Sequence, residues 1–250
     1  MRIATYNIWN HPKAFENRLE ALCEEIIKVN ADIIALQEVP IKLHESSDQL
    51  LLEYIAERTG YEHYEFKAYP GDDEGLGFLS RTSLEEIVCN GRSKDEISTC
   101  AMRVTTNVNG IKIGVTNVHL DWRSALTREK EIVAVTEWIE QEQQALQCEA
   151  EFLCGDFNSF PYTSSIYNFL MGQQSLAGKD TSWIDLPELY ANAEDQAPRA
   201  TLDFKQNPWL HNRDKLNEFR KPYRFDWLLL KRLYPKAEPD LIYAGLFGEG

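Results

Sequence analysis

Basic residues are scarce in this chain. Lys and Arg number 26 against 40 Asp and Glu, and the formal charge is −14 at pH 7. A protein that grips long nucleic acid carries a basic face, so long duplex DNA is not an expected partner. No C-x-x-C pair occurs among the five cysteines, Cys23, Cys89, Cys100, Cys148 and Cys154. The odd count and the spacing exclude a disulfide framework and a zinc knuckle. Several lie in apolar runs and read as buried thiols, which fits a reducing, cytoplasmic compartment. No apolar run approaches the length that crosses a bilayer. The opening Met1-Arg2-Ile3-Ala4 enters a strand pattern with no signal-peptide h-region. There is no solenoid-type repeat, no low-complexity tract and no linker. One domain over residues 1–250, acting as a monomer, is therefore expected.

What is present is an α/β pattern. Residues 2–8 read as a strand that ends near Asn7. Phe15, Leu19, Leu22, Cys23, Ile26 and Ile27 then recur at helical spacing. Ala31 to Leu36 is a short apolar run, hence a buried strand, delivering Gln37-Glu38-Val39 before Pro40 stops it. Residues 47–59 predict a second helix closed by Gly60. This β-α-β-α opening implies an α/β protein. Strands follow over 61–66, 76–80, 100–108 and 111–120, the last two joined by the hairpin signal Asn109-Gly110. A long helix over 124–145 has Leu126, Ile132, Val133, Val135, Trp138 and Ile139 as its apolar positions. Ser164 to Leu170 predicts a short helix, and the proline-punctuated stretch 172–222 predicts loops with short elements over a site mouth. Tyr223 to Leu230 reads as a strand with Asp226 inside it, and Leu241 to Ala244 as another short strand.

The stretch Cys154-Gly155-Asp156-Phe157-Asn158-Ser159 closes the apolar run Phe152-Leu153-Cys154. Glycine permits a tight turn. In extended backbone residues two apart point the same way, so Asp156 and Asn158 would project together. A carboxylate beside a carboxamide can hold a water, a phosphate oxygen or a cation; the same residues also make ordinary turns. The wider pattern weighs for chemistry. Asn7, Glu38, His119, Asp156 and Asn158 all lie at or near C-terminal ends of predicted strands, with Asp226 in another strand. Each alone has a structural explanation, as a cap, a strand-end residue or a core histidine. Together they place ionisable groups where burial demands pairing or a metal.

The segments Thr5-Tyr6-Asn7-Ile8-Trp9, Leu36-Gln37-Glu38-Val39, Gly77-Phe78-Leu79-Ser80-Arg81, Thr116-Asn117-Val118-His119-Leu120, Cys154-Gly155-Asp156-Phe157-Asn158 and Tyr223-Arg224-Phe225-Asp226-Trp227 occur in this order. In them the chain resembles the endonuclease/exonuclease/phosphatase superfamily of metal-dependent phosphoesterases. The resemblance implies a four-layer α/β sandwich, two mixed sheets face to face with helices outside. It implies Glu38 as the principal ligand of Mg²⁺ or Mn²⁺ with Asn7 beside it. Asp156 would orient the attacking water, Asn158 would hold phosphate or that water, and His119 would donate to a phosphoryl oxygen. Asp226 would orient a second, C-terminal histidine, and Glu74 would support His119.

One family segment is missing. No Asp-His dipeptide occurs, and the histidines are His11, His44, His63, His119 and His211. The expected final catalytic strand is lacking at Phe247-Gly248-Glu249-Gly250, which would open a sheet edge; loss of a natural C-terminal tail is the expected reason, with substitution by His11 or His211 or a catalytically dead protein as the alternatives. The expected substrate is a small phosphoester, a nucleotide or a phospholipid head group, with a phosphodiester first and a phosphomonoesterase or nuclease next. The rival class is an inactive phosphate-binding module. Trp9, Trp122, Trp183 and Trp209 are the aromatic candidates at the mouth, and Arg123, Arg199, Arg213 and Arg224 are among the local cations.

Overall fold

The computed structural model describes residues 1–44, 47–90, 100–207, 221–233 and 240–248. Trp209, His211 and Arg213 lie outside the described residues. The element order is β1 (Ile3–Asn7), α1 (Phe15–Val29), β2 (Ile33–Pro40), α2 (Leu51–Thr59), β3 (His63–Ala68), β4 (Glu74–Ser80), β5 (Leu84–Asn90), β6 (Cys100–Val108) and β7 (Ile111–His119). Then come α3 (Ala125–Leu146), β8 (Ala150–Asp156), α4 (Ser165–Leu170), β9 (Trp183–Asp185), α5 (Leu186–Ala193) and β10 (Asp226–Lys231).

The strands form two mixed sheets. One has four strands in the order β1-β2-β4-β3, and the other has six in the order β5-β6-β7-β8-β10-β9. Alternation along each strand sorts side chains between two layers. On β2, Ile34 and Leu36 pack under α1 and α2 with Leu22, Ile26, Leu52 and Ile55. Ile33 and Ala35 turn the other way and meet Met102, Val104, Ile113, Val115, Phe152 and Cys154 of the second sheet. The outer face of that sheet packs Leu153, Trp227 and Leu229 against Ile132, Val135 and Ile139 of α3 and Phe169 of α4. Helices, sheet, sheet, helices is the four-layer sandwich.

Several boundaries differ from the sequence reading. Asp226 is the first residue of its strand rather than inside it. Residues 241–244 carry no strand; Leu241 packs against the inter-sheet core and Tyr243 against Tyr190, while Ile242 is 90% exposed. On α3 the expected apolar Leu126 is 61% exposed, while Glu131 is buried. Strands β5 and β9 were not anticipated: β9 is only three residues long and exists by pairing with β10. β1 is the outer strand of its sheet.

Candidate active site

Parity explains how the site is assembled. On β7, Ile113 and Val115 face the opposite sheet, so Asn117 and His119 continue that face. On β8, Phe152 and Cys154 lead to Asp156 in the same way. β7 and β8 are parallel with His119 opposite Asp156, and antiparallel β10 sets Asp226 opposite Asp156. Asn7 ends β1. All these polar ends meet at one rim of the inter-sheet space.

Glu38 has the wrong parity. Ile33, Ala35 and Gln37 point between the sheets, so a regular β2 would turn Glu38 with Leu36 towards the helices. The pairing of β2 with β4 shifts register between Leu36 and Val39, and Glu38 adopts φ 53°. This bulge re-aims one carboxylate into the site. Bulky residues with positive φ are uncommon and concentrate at functional places; Trp9 at φ 55° and Asn158 at φ 47° flank the same rim.

The bonds at the centre are specific. Asn7 Nδ2 donates to Glu38 Oε1 at 2.8 Å and to Asp156 Oδ2 at 3.0 Å. Its Oδ1 accepts from the Trp9 N–H at 2.9 Å. The Asn10 N–H donates to Glu38 Oε2 at 3.1 Å. The Asn158 N–H donates to Asp156 Oδ1 at 2.8 Å, and Asn158 Nδ2 to the Leu120 carbonyl at 2.9 Å. Asp156 and Asn158 are therefore joined in a turn rather than projecting side by side from extended backbone. His119 Nε2 stands 3.9 Å from Glu38 Oε1. Its Nδ1 lies 3.0 Å from the Tyr69 hydroxyl.

Three expectations need adjustment. The Nδ1 of His119 meets Tyr69 rather than Glu74; the Glu74 carboxyl bonds the Asn10 side chain, and burial first, then Glu38, raises its pKa while Asn10 and the nearby His119 lower it. Asp226 has a buried Oδ1 with no partner among the described residues. Burial, then the Asp156 carboxylate, pushes its pKa well up. Trp183 is a core residue, 2% exposed, not a mouth residue, whereas Trp122 is 68% exposed and Trp9 stacks on His11 with centroids 4.7 Å apart.

Other residues carry no mark in the sequence reading. Gln37 and Asn117 lie in the quoted motifs without a role, yet they bond each other between the sheets. The polar Asn117 two places before His119, on the core face of a strand, was the available signal. Arg128 donates to Ser159 Oγ at 2.9 Å and to the Asp121 carbonyl at 2.8 Å, tying together the loops after β7 and β8. Phe160, Tyr223 and Phe225 form an aromatic wall beside Asn158 and Asp226, with Phe160 5.0 Å from Tyr223 and 5.3 Å from Phe225. Phe160 is 46% exposed.

The donor set can be tested against a divalent ion. The Asn7 amino group bridges both carboxylates, which marks the point between them as favourable for positive charge. Carboxylate oxygens suit hard cations such as Mg²⁺ or Mn²⁺. No group of three or more His, Cys, Asp and Glu side chains is arranged as a cage among the described residues. Mg²⁺ does not need one, because it keeps several waters and takes one or two carboxylates. The residues present fit such an ion.

Comparison with known proteins bears on the fold and the family. No curated protein matches the sequence. Among solved structures, a humanized D. rerio TDP2 superposes with TM-score 0.64 at 18% identity, covering 96% of this chain and 86% of its own. The human Nocturnin catalytic domain gives TM-score 0.62 at 17% identity, covering 93% and 83%. A Bacteroides thetaiotaomicron mannosyl-6-phosphatase gives 0.64 at 15%, covering 92% and 85%. At these identities the likeness is one of fold. No helix among the described residues is long and apolar enough to cross a membrane. The family model for Endonuclease/Exonuclease/phosphatase matches residues 4–209, and the chain belongs to that family.

Proposed function

We propose that this chain is a phosphodiesterase that uses a divalent metal ion, Mg²⁺ or Mn²⁺, on a small or exposed phosphodiester. Its family consists of phosphoester hydrolases that typically depend on such ions. The observation that carries the reading is the Asn7 bridge, which holds Glu38 and Asp156 on one point. When bound there, the ion would neutralise a phosphate oxygen and ease departure of the leaving oxygen. Glu38 would be its principal ligand, with Asn7 beside it.

The side chains supply the rest. Asp156 is fixed at both oxygens by Asn7 and Asn158, so it is pre-oriented to accept a hydrogen bond from the attacking water. Asn158 spends one amide hydrogen on Leu120 and keeps the second for phosphate or water. His119 would donate to a phosphoryl oxygen as charge develops on it. The aromatic wall of Phe160, Tyr223 and Phe225 favours a diester, with one esterified group against the wall and the phosphorus over Asp156. The −14 charge disfavours a long polyanion.

Hydrolysis of bis(p-nitrophenyl) phosphate and of a nucleotide panel, with and without Mg²⁺, tests this directly. Metal-dependent turnover is expected. A folded protein with no metal-dependent turnover on any phosphoester would sink the reading. A second reading is phosphate binding without turnover; Asp226 Oδ1 is buried with no partner among the described residues, so nothing there orients a second catalytic group. Calorimetric binding of phosphate by a protein that hydrolyses nothing would select it.

A further inference from the structure

We propose that Tyr69 is a positioning residue for His119, holding the imidazole in the tautomer that carries its proton on Nε2. Tyr69 follows β3 directly, in the turn that leads to β4. Its N–H donates to the Glu74 carbonyl at 2.8 Å, and its own carbonyl accepts from the Asp72 N–H at 3.2 Å. The turn is completed by Gly71 at φ 81°, a conformation that suits glycine. Backbone on both sides thus fixes where the phenol starts. Its ring is partly buried against the inter-sheet core. From there it crosses to the other sheet, placing its hydroxyl 3.0 Å from Nδ1 with the two rings 6.1 Å apart.

The tautomer follows from what faces each nitrogen. A neutral imidazole has one N–H and one lone pair. Nε2 looks towards Glu38 Oε1 at 3.9 Å, and a carboxylate oxygen only accepts. A lone pair on Nε2 would meet that negative oxygen, whereas a proton there is attracted to it. Nδ1 then carries the lone pair and accepts from the Tyr69 hydroxyl, which is able to donate. The opposite arrangement, with Nδ1–H donating to the phenol, would turn the Nε2 lone pair to the carboxylate and to any phosphate in the site. The Nε2–H donor that a phosphoryl oxygen requires is therefore set by a residue 50 positions away in sequence, on the other sheet.

The kinetic part of this proposal rests on the phosphoesterase reading; the tautomer part does not. Long-range ¹⁵N–¹H spectra of the histidine rings, with His119 assigned through its loss in His119→Gln, read the tautomer directly. Wild type is expected to show His119 protonated on Nε2. Tyr69→Phe, which keeps the ring and removes only the hydroxyl, should show a mixture of tautomers. Its kcat should fall about tenfold, the effect of one lost hydrogen bond, while KM and the melting midpoint hold. A wild-type His119 protonated on Nδ1, or a Tyr69→Phe spectrum identical to wild type, would overturn the assignment. Should Tyr69→Phe fail to fold, the wild-type spectrum decides alone. Absence of turnover in wild type strikes the phosphoesterase reading and leaves the spectral test standing.

Discussion

Gln37 Nε2 donates to Asn117 Oδ1 across 2.7 Å, and this bond joins the two sheets directly beneath the site. Both residues are fully buried. Gln37 precedes Glu38, and Asn117 stands two places before His119 on the same face. Asn117 Nδ2 also donates to the Leu36 carbonyl at 2.9 Å and the Gly77 carbonyl at 3.2 Å, reaching two strands of the opposite sheet. The pair fixes the separation of the strands that carry Glu38 and His119.

Asn117→Ala takes away one of the three acceptors of Gln37 Nε2, which also donates to Thr5 Oγ1 and the Ala35 carbonyl, and removes the side-chain donor to the Leu36 and Gly77 carbonyls. A cost of about 2–3 kcal/mol is expected. Gln37→Leu should cost less, and the double variant less than the sum, with a coupling on the order of 1 kcal/mol. Urea unfolding of the four proteins in the cycle measures this. Strict additivity would show that the bond contributes nothing specific.

Gly155 is the glycine of the motif around Asp156. Its φ is 131°, and a Cβ there would stand 2.0 Å from the Val118 carbonyl oxygen of the neighbouring strand. No flexible side chain is present to give way. Gly155→Ala should cost about 3 kcal/mol or more, from strained backbone and overlap together. A loss under about 1 kcal/mol in denaturant titration would contradict the close approach of β7 and β8.

Much of this was legible. Apolar runs marked the strands, and their C-terminal ends carried Asn7, His119 and Asp156 to one rim. Glu38 was legible as a residue but not as a geometry: its parity pointed away, and only the bulge brings it in. Tyr69 was not legible, because its partner is fixed by how two sheets stack and no local pattern records that. Trp183 was one of four aromatic candidates for the mouth, and β9 buries it beside β10. Residues 241–244 looked like a strand by composition, but they pair with no strand among the described residues.

Glu131 offers a pH test away from the candidate site. Its Oε2 accepts from the Asp121 N–H at 2.8 Å, and its Oε1 is buried without a partner among the described residues. Burial pushes its carboxyl up to about 7 from an ordinary 4.5, against the Asp121 bond, which lowers it. The folded state thus holds this proton more tightly than the unfolded state does. The stabilisation is full below about 4.5 and is lost as pH rises through about 7. Glu131→Gln keeps an acceptor for Asp121 and carries no charge. It should match wild type at pH 4 to within a few tenths of a kcal/mol and exceed it at pH 8 by roughly 3 kcal/mol. A difference between the two proteins that does not grow with pH would refute this.

Glu38→Ala addresses the metal reading. Ligands that bind only the folded state raise its stability, by about 2.7 kcal/mol at one hundred times Kd. Mg²⁺ or Mn²⁺ should therefore raise the melting midpoint of wild type and leave Glu38→Ala unmoved. Equal shifts in both would remove Glu38 from its assigned role.

Trp9, Glu38 and Asn158 all hold left-handed backbone. Each such residue costs on the order of 1–3 kcal/mol, within a total stability of about 5–15 kcal/mol for a protein of ordinary robustness. The rim thus draws on a sizeable share of the molecule's durability. Breeding this protein for heat resistance alone would reward glycine at all three places, and the hardiest descendants would be those that had dismantled the rim around Asn7, Glu38 and Asp156.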